Sequence, residues 1–515
     1  MYKELLKLQS CAYFLQSTTM SKYLLLILLT VSDIVSHGQE TIDTSLRINH
    51  VFSVQELKQD LAILKDSLRI LHPALYRHTS KELFDAAFKT ADKNVDKPMS
   101  LSDFYSIVAP LAGKVGDIHT TVDLPDEYYN QLATKSDLFP FDVRIIDGEV
   151  FIASNNSLDS TIKVGSKIFS INDQPIKNVL QKMESYFSGE GDNVTLKIRR
   201  VEQRFAFQYH IAYGYTKEFK IQYAKAGQLQ QTKKTLALPF LTIRANRVKN
   251  QIDYPYLKPL FVQPPYLTLS IKKEKQTAIL TIKWFQDDVL EGVGERFKPF
   301  IDSAFLEINK ANIRNLVIDI RKNEGGQPEN ASYLYSYLTN KPFNFFQFLE
   351  ANKKTHENDI KKGVVYSYMK DSGKYRTRDS SMAVKFPTYF GFNIQQPQAN
   401  NFAGNVFVLI DGLTISAAPQ FASLVKLNKR GMLIGEEAPG SLYGGSGRGY
   451  AYFLLPNTRI LTMISLYRVV IANEKNKLKD IRIVPNYRAT SSIDDLLNGI
   501  DKEMELTMKL IGANK

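Results

Sequence analysis

The chain is nearly free of sulfur chemistry. Its 515 residues include one cysteine, Cys11, so no internal disulfide can form. No His-Glu-x-x-His pair and no cysteine-rich ligand spacing occurs, so neither a zinc site nor any other metal or organic cofactor is expected. Arginine-rich stripes with interleaved aromatics are also missing, which argues against nucleic acid as a partner. No internal repeat is visible. The interval between Lys429 and Lys475 contains no lysine, a gap with consequences below.

What is present is an ordinary globular composition, 44% hydrophobic and 23% charged, in a chain long enough for several domains. The formal charge of +13 leaves room for an acidic partner or an anionic surface, and a basic solvated exterior explains it as well. From Met20 the chain reads MSKYLLLILLTVSDIVSHGQE. A lysine, a short apolar run from Tyr23 to Val31 and a small-residue region before Gln39 predict an export signal. The apolar run is too short for a comfortable bilayer span, so no stable membrane span is expected after signal removal. Export places the mature protein in the periplasm or outside the cell. Translation could begin at Met1 or at Met20.

Periodicity divides the rest. Residues 1–38 are leader and signal, and 50–125 form a helical region with Leu57, Leu61, Leu64, Leu68 and Leu71 at helical spacing. Residues 135–212 alternate as a small β-rich module, and 213–270 form a connector. From 271 to 515 strands alternate with helices, with a charged insertion at about 350–400 read as a surface excursion. The expected class is α/β.

Three strand-to-loop junctions stand out in that last region. Val406 to Ile410 is an apolar strand ending in Asp411-Gly412, with Ser416 at the head of a helical pattern containing Phe421, Leu424, Val425 and Leu427. A serine at such a turn has its hydroxyl lifted clear of the backbone, with free amides nearby. The alternative is that Thr414 or Ser416 only caps the helix. Asn315 to Ile320 is a second strand, running into Arg321-Lys-Asn-Glu-Gly-Gly326, whose paired glycines permit close backbone approach. The third is Gly431 to Gly440. Together they suggest a site at the strand ends.

Several segments then match a family in order: His72-Pro73-Ala-Leu-Tyr76, Gly116-Asp-Ile-His119-Thr120, Gly165 to Asp173, Asp319 to Gly326, Thr414-Ile-Ser-Ala-Ala418, Leu455-Pro-Asn457 and Ile483-Val-Pro-Asn-Tyr487. From about residue 55 onward the chain resembles the C-terminal processing (tail-specific) serine peptidases and their tricorn-core relatives. The resemblance implies a crotonase/ClpP-like α/β peptidase core, an N-terminal helical region and a PDZ-like domain over 135–212. It implies Ser416 as nucleophile, with an oxyanion hole from the amides of Ala417 and of Gly325 or Gly326. The tail-specific branch uses a lysine after the serine, which the lysine-free interval removes here. The tricorn-type branch uses a histidine, and His119 matches. A supporting acid falls at Glu474 or Asp480, and Thr120 offers a hydroxyl beside the histidine. The matching pattern differs at three places: Pro419 stands where glutamate is frequent, Glu324 where glycine is, and Asn486 where aspartate is.

The expected function is an exported serine peptidase acting on polypeptides of the cell envelope or exterior. The alternative is a catalytically inactive peptidase-fold protein serving as a binding module or scaffold.

Overall fold

A computed structural model describes residues 50–253, 263–355, 367–368, 381–385, 390–471 and 482–513. The leader and signal, most of 350–390, and both Glu474 and Asp480 lie outside the described residues. The described residues belong to one unit, Arg47–Lys515.

Three helices open the described chain: Val54–Leu71, Lys81–Asn94 and Leu101–Gly113. Each starts at a serine, Ser53, Ser80 or Ser100, whose hydroxyl accepts from a first-turn amide. At Ser53 the Glu56 carboxylate returns the bond, completing a capping box. The leucine stripe buries Leu57, Leu61, Leu64 and Leu68 in one cluster with Phe84, Phe88 and Phe104, while Leu71 at the helix end stays half-buried. The same helix carries a fully buried carboxylate, Asp60. It accepts from the Asn457 amide and side chain and from the Thr458 amide and hydroxyl, at 3.1, 2.9, 2.8 and 2.6 Å. Four donors offset the cost of burying that charge. The Leu455-Pro-Asn457 segment therefore works here as a clamp between helix and core.

A six-stranded antiparallel sheet follows: Phe141–Ile146, Glu149–Asn155, Lys167–Ile171, Gln174–Pro175, Glu218–Ala224 and Gln231–Leu236. Phe141, Val143 and Ile145 face inward, and Asp147-Gly148, both at positive φ, make the tight turn to the next strand. The helix Thr195–Tyr213 covers the sheet, with Phe205 and Tyr209 packed on Phe139 and, for Tyr209, on Phe219. The sheet takes in 218–236, so the β-rich unit runs on through much of the stretch read as a connector.

The core sheet has the order Leu267–Lys272, Thr277–Ile282, Asn315–Asp319, Asn405–Ile410, Met432–Gly435, Tyr487–Arg488, parallel from the second strand onward. Its central strands are apolar on both faces, as expected for parallel strands covered on both sides. Leu316, Ile318, Val406, Val408 and Ile410 pack with Phe421 and Val425, whereas Val317, Phe407, Leu409 and Ile434 face Ile511 of the C-terminal helix Lys502–Ala513. Within 350–400 the described parts form paired structure. Phe348–Asn352 lies between Ser381–Lys385 and Tyr467–Val470, with Leu349, Ala351, Ala383 and Val384 fully buried.

Candidate functional site

The three strand-to-loop junctions end side by side, because Asp319 pairs with Leu409 and Ile410 with Gly435 in the parallel ladder. Ser416 occupies the N-cap of the helix Ala417–Leu427 at φ 61° and ψ −115°, a region that a side chain with a Cβ rarely adopts. Its hydroxyl caps nothing and has no hydrogen-bond partner among the described residues. The turn is held instead by Thr414, whose hydroxyl accepts from the Asp411 amide and reaches the Ile320 carbonyl at 3.1 Å. Capping explains neither residue.

The Asp319–Gly326 loop is organised by Asn323, which is fully buried. Its amide group donates to the Ile282 carbonyl at 3.0 Å, its side-chain oxygen accepts from the Gly325 N–H at 2.8 Å, and its backbone carbonyl accepts from Ile415 at 2.8 Å. The loop is thereby seated against the Ser416 turn. Both glycines are required by space. A Cβ on Gly325 would stand 2.6 Å from the Ser416 Cβ and 3.0 Å from the Ala417 nitrogen, and one on Gly326 would stand 2.3 Å from the Gln286 nitrogen. Because Asn323 occupies the Gly325 amide, the two amides beside Ser416 that have no acceptor among the described residues are those of Gly326 and Ala417.

His119 arrives from the N-terminal side. The strand Thr121–Asp123 that follows it pairs with Leu461–Ser465 of the core hairpin. Its ring packs on Tyr450, centroids 5.5 Å apart. Nδ1 lies 3.1 Å from the Ser446 hydroxyl oxygen, and the Ser446 hydroxyl in turn donates to Asp117 Oδ1. A hydroxyl has one proton, so a Ser446 that donates to a carboxylate must accept from the ring. This fixes Nδ1 as the protonated nitrogen and leaves Nε2 with the lone pair.

Asp117 is buried, which opposes its ionisation. The hydrogen bond and charge of His72, 2.8 Å away, together with His119 and Ser446, outweigh that and hold the carboxyl well below the usual carboxylate range. The Thr120 hydroxyl donates to the same carboxylate at 3.0 Å and accepts from the Ser465 amide. Burial lowers the pKa of His119, and the charges of Asp117 and Glu190 oppose the shift only partly.

His119 and Ser416 line one small cleft, with Glu190, Gln420, Ser441 and Ser446. Lys426, close after the serine in sequence, instead directs its ammonium to the Val484 carbonyl and is no part of that lining. Where a lysine would have been sought, Glu436 makes two bonds to Arg199, at 3.0 and 3.2 Å, and Glu437 accepts from Asn193. The departures from the family pattern have local explanations. Glu324 pairs with Arg200 at 3.0 and 3.3 Å, Asn486 bonds both ways with Leu433, and Pro419 sits in the first helical turn, where its missing N–H costs nothing.

Sequence reasoning assigned no role to Asp117, Ser446 or Glu190. Asp117 was findable, lying two residues before His119 in the same segment. Ser446 and Glu190 sit in glycine-rich stretches with nothing local to mark them.

Residues 276–486 match the model of peptidase family S41. No curated protein sequence matches. Among solved structures, mature CPAF is similar over 89% of this chain and 96% of its own, at 15% identity and TM-score 0.61. Mature CPAF complexed with lactacystin is similar over 89% and 98%, with the same identity and score. At that identity the likeness concerns the fold. Residues 276–486 thus carry a serine-type peptidase family S41 domain, in a chain whose fold is shared with mature CPAF.

Proposed function

We propose that this chain is an exported serine peptidase in which Ser416 attacks the scissile carbonyl and His119 takes its proton. The observation that carries this reading is the unpartnered Ser416 hydroxyl in one cleft with a histidine whose Nδ1 is already engaged. A serine hydroxyl needs an adjacent base to become a nucleophile, and the Nε2 lone pair of His119 supplies one. The proton then passes to the leaving amine, and water hydrolyses the acyl-enzyme by the same exchange in reverse. The amides of Gly326 and Ala417 would hold the oxyanion, each such donor being worth on the order of a hundredfold to a thousandfold in rate. The Ser446–Asp117 pair stabilises the imidazolium that forms, with Thr120 orienting Asp117.

The β-rich unit takes a PDZ-like role in this reading, adding an extended substrate as a strand at its Gln231–Leu236 edge, since Glu202 and Arg199 occupy the Ile145 amide and carbonyl on the opposite edge. Export and substrates of the cell envelope or exterior rest on the Lys22 to Gly38 pattern, and a mature N-terminus near Gln39 by mass spectrometry is the expected result. A fluorophosphonate probe tests the site. It should label the wild type and fail on Ser416→Ala. Equal labelling of both would remove Ser416, and no labelling of either would favour the inactive binding protein.

A further inference from the structure

The cleft contains a carboxylate that the mechanism does not use. Glu190 lies in the segment Ser188-Gly-Glu-Gly-Asp-Asn193, its side chain 6% exposed, and lines the cleft with Ser416 and His119. Its Oε2 is buried with no hydrogen-bond partner among the described residues. Its Oε1 stands 3.9 Å from His78 Nε2, within ion-pair range but beyond hydrogen-bonding distance. Asp117, two residues before His119, already accepts from His72, Ser446 and Thr120, so its oxygens are satisfied. Burying a carboxylate oxygen without a donor is expensive, and a fold that retains one normally meets the cost with a ligand or an ion.

The Glu190 carboxylate is also held in place. The Gly191 amide donates to the Gly116 carbonyl at 2.9 Å, and the Ser188 hydroxyl to the Thr120 carbonyl at 2.6 Å. Asn193 donates through its backbone to Glu190 and through its side chain to Glu437. The His78 ring is wedged between Gly116 and Gly191, where an added Cβ would stand 3.1 and 2.9 Å from it. The backbone that carries Glu190 is therefore anchored on three sides. A second acceptor faces the same space: Gln420 Oε1 is buried, lines the cleft and has no partner. Two fixed acceptors, one of them charged, match a group rich in donors that also neutralises charge. Ammonium and guanidinium have three and five N–H donors, and a neutral hydroxyl satisfies only the hydrogen bond.

We propose that Glu190 is a specificity residue that selects a lysine or arginine side chain of the substrate beside the scissile bond. The proposal rests on the serine-peptidase reading above, and the test separates the two. Peptides that differ in one residue, lysine against norleucine, are scanned across the positions flanking the cleaved bond. At one position the wild type should prefer lysine by about tenfold to a hundredfold in kcat/KM, the range expected for a hydrogen-bonded charge. In Glu190→Gln that ratio should fall close to one, with fluorophosphonate labelling of Ser416 showing that the variant is folded. Should the variant fail to fold, the wild type alone decides: n-butylammonium should slow labelling of Ser416 at least tenfold more effectively than n-butanol. Equal effects of the two, a ratio unchanged in Glu190→Gln, or no basic preference at any position would overturn the proposal. A wild type that neither labels nor cleaves would overturn the peptidase reading, and this proposal with it.

Discussion

The two halves of the site are built in different ways. The half around Ser416 comes from chain segments that are each continuous and that lie next to one another in the sheet: strand Asn405–Ile410 with its turn and helix, and strand Asn315–Asp319 with its double-glycine loop. The half around His119 is assembled from distant places. Its bond to Ser446 spans 327 residues, the Thr120–Ser465 bond 345, and the His72–Asp117 bond 45. Strand geometry, a tight turn and steric demand place Ser416 locally. Tertiary contacts place His119, so its position depends on the helical region docking correctly through clamps such as Asp60 with Asn457 and Thr458.

The largest effect should come from removing the His119 imidazole. His119→Ala should lower kcat by about four to six orders of magnitude, as loss of a triad member does, while Lys426→Ala changes it by less than about threefold. The reverse pattern in peptide turnover would mean that the remote half contributes no base.

On the local half, Gly325→Ala should cost at least about a hundredfold in kcat. Its Cβ would displace the Ser416 turn and the Ala417 amide. A crystal structure of that variant should show the Ser416 turn moved, and normal turnover would show that the loop is not part of the site.

A smaller loss tests the remote relay. Ser446→Ala removes one charge-assisted link and should cost about tenfold to a hundredfold, mostly in kcat and with little change in KM. A change confined to KM would assign Ser446 to substrate binding.

The smallest effect concerns backbone strain. Ser416→Gly and Ser416→Ala should both be inactive, yet the glycine variant should be more stable by about 1 kcal/mol, because φ 61° with ψ −115° suits only glycine. Denaturant melts compare them, and equal stabilities would mean the turn is unstrained.

Legibility followed the same division. The core strands, the Ser416 turn and the need for Gly325 and Gly326 could be read because each is written in a short window: an apolar run, a breaker, a helix start. The leucine stripe of Val54–Leu71 was equally plain. The end of the β-rich unit was not, since Glu218–Ala224 and Gln231–Leu236 are polar on their outer face and join a sheet begun well before them. The paired strands within 350–400 were hidden by the charged sequence around them. Ser446 and Glu190 carry no local mark, because their roles come from what folding brings opposite them. That the Gly325 amide is occupied and the Gly326 amide is not turns on one side chain, Asn323, whose bond to Gly325 no spacing predicts.

The most direct test is the pH dependence of fluorophosphonate labelling at Ser416, compared between wild type and His119→Ala. A base must be neutral to act, and burial lowers the pKa of His119 from its ordinary value of about 6.5. Labelling should therefore persist at mildly acidic pH and be lost as pH falls through a single ionisation below that value, and His119→Ala should label at least about a thousandfold more slowly at every pH above it. Labelling of His119→Ala at the wild-type rate, or a wild-type profile that rises only near the pKa of a lysine, would contradict the account.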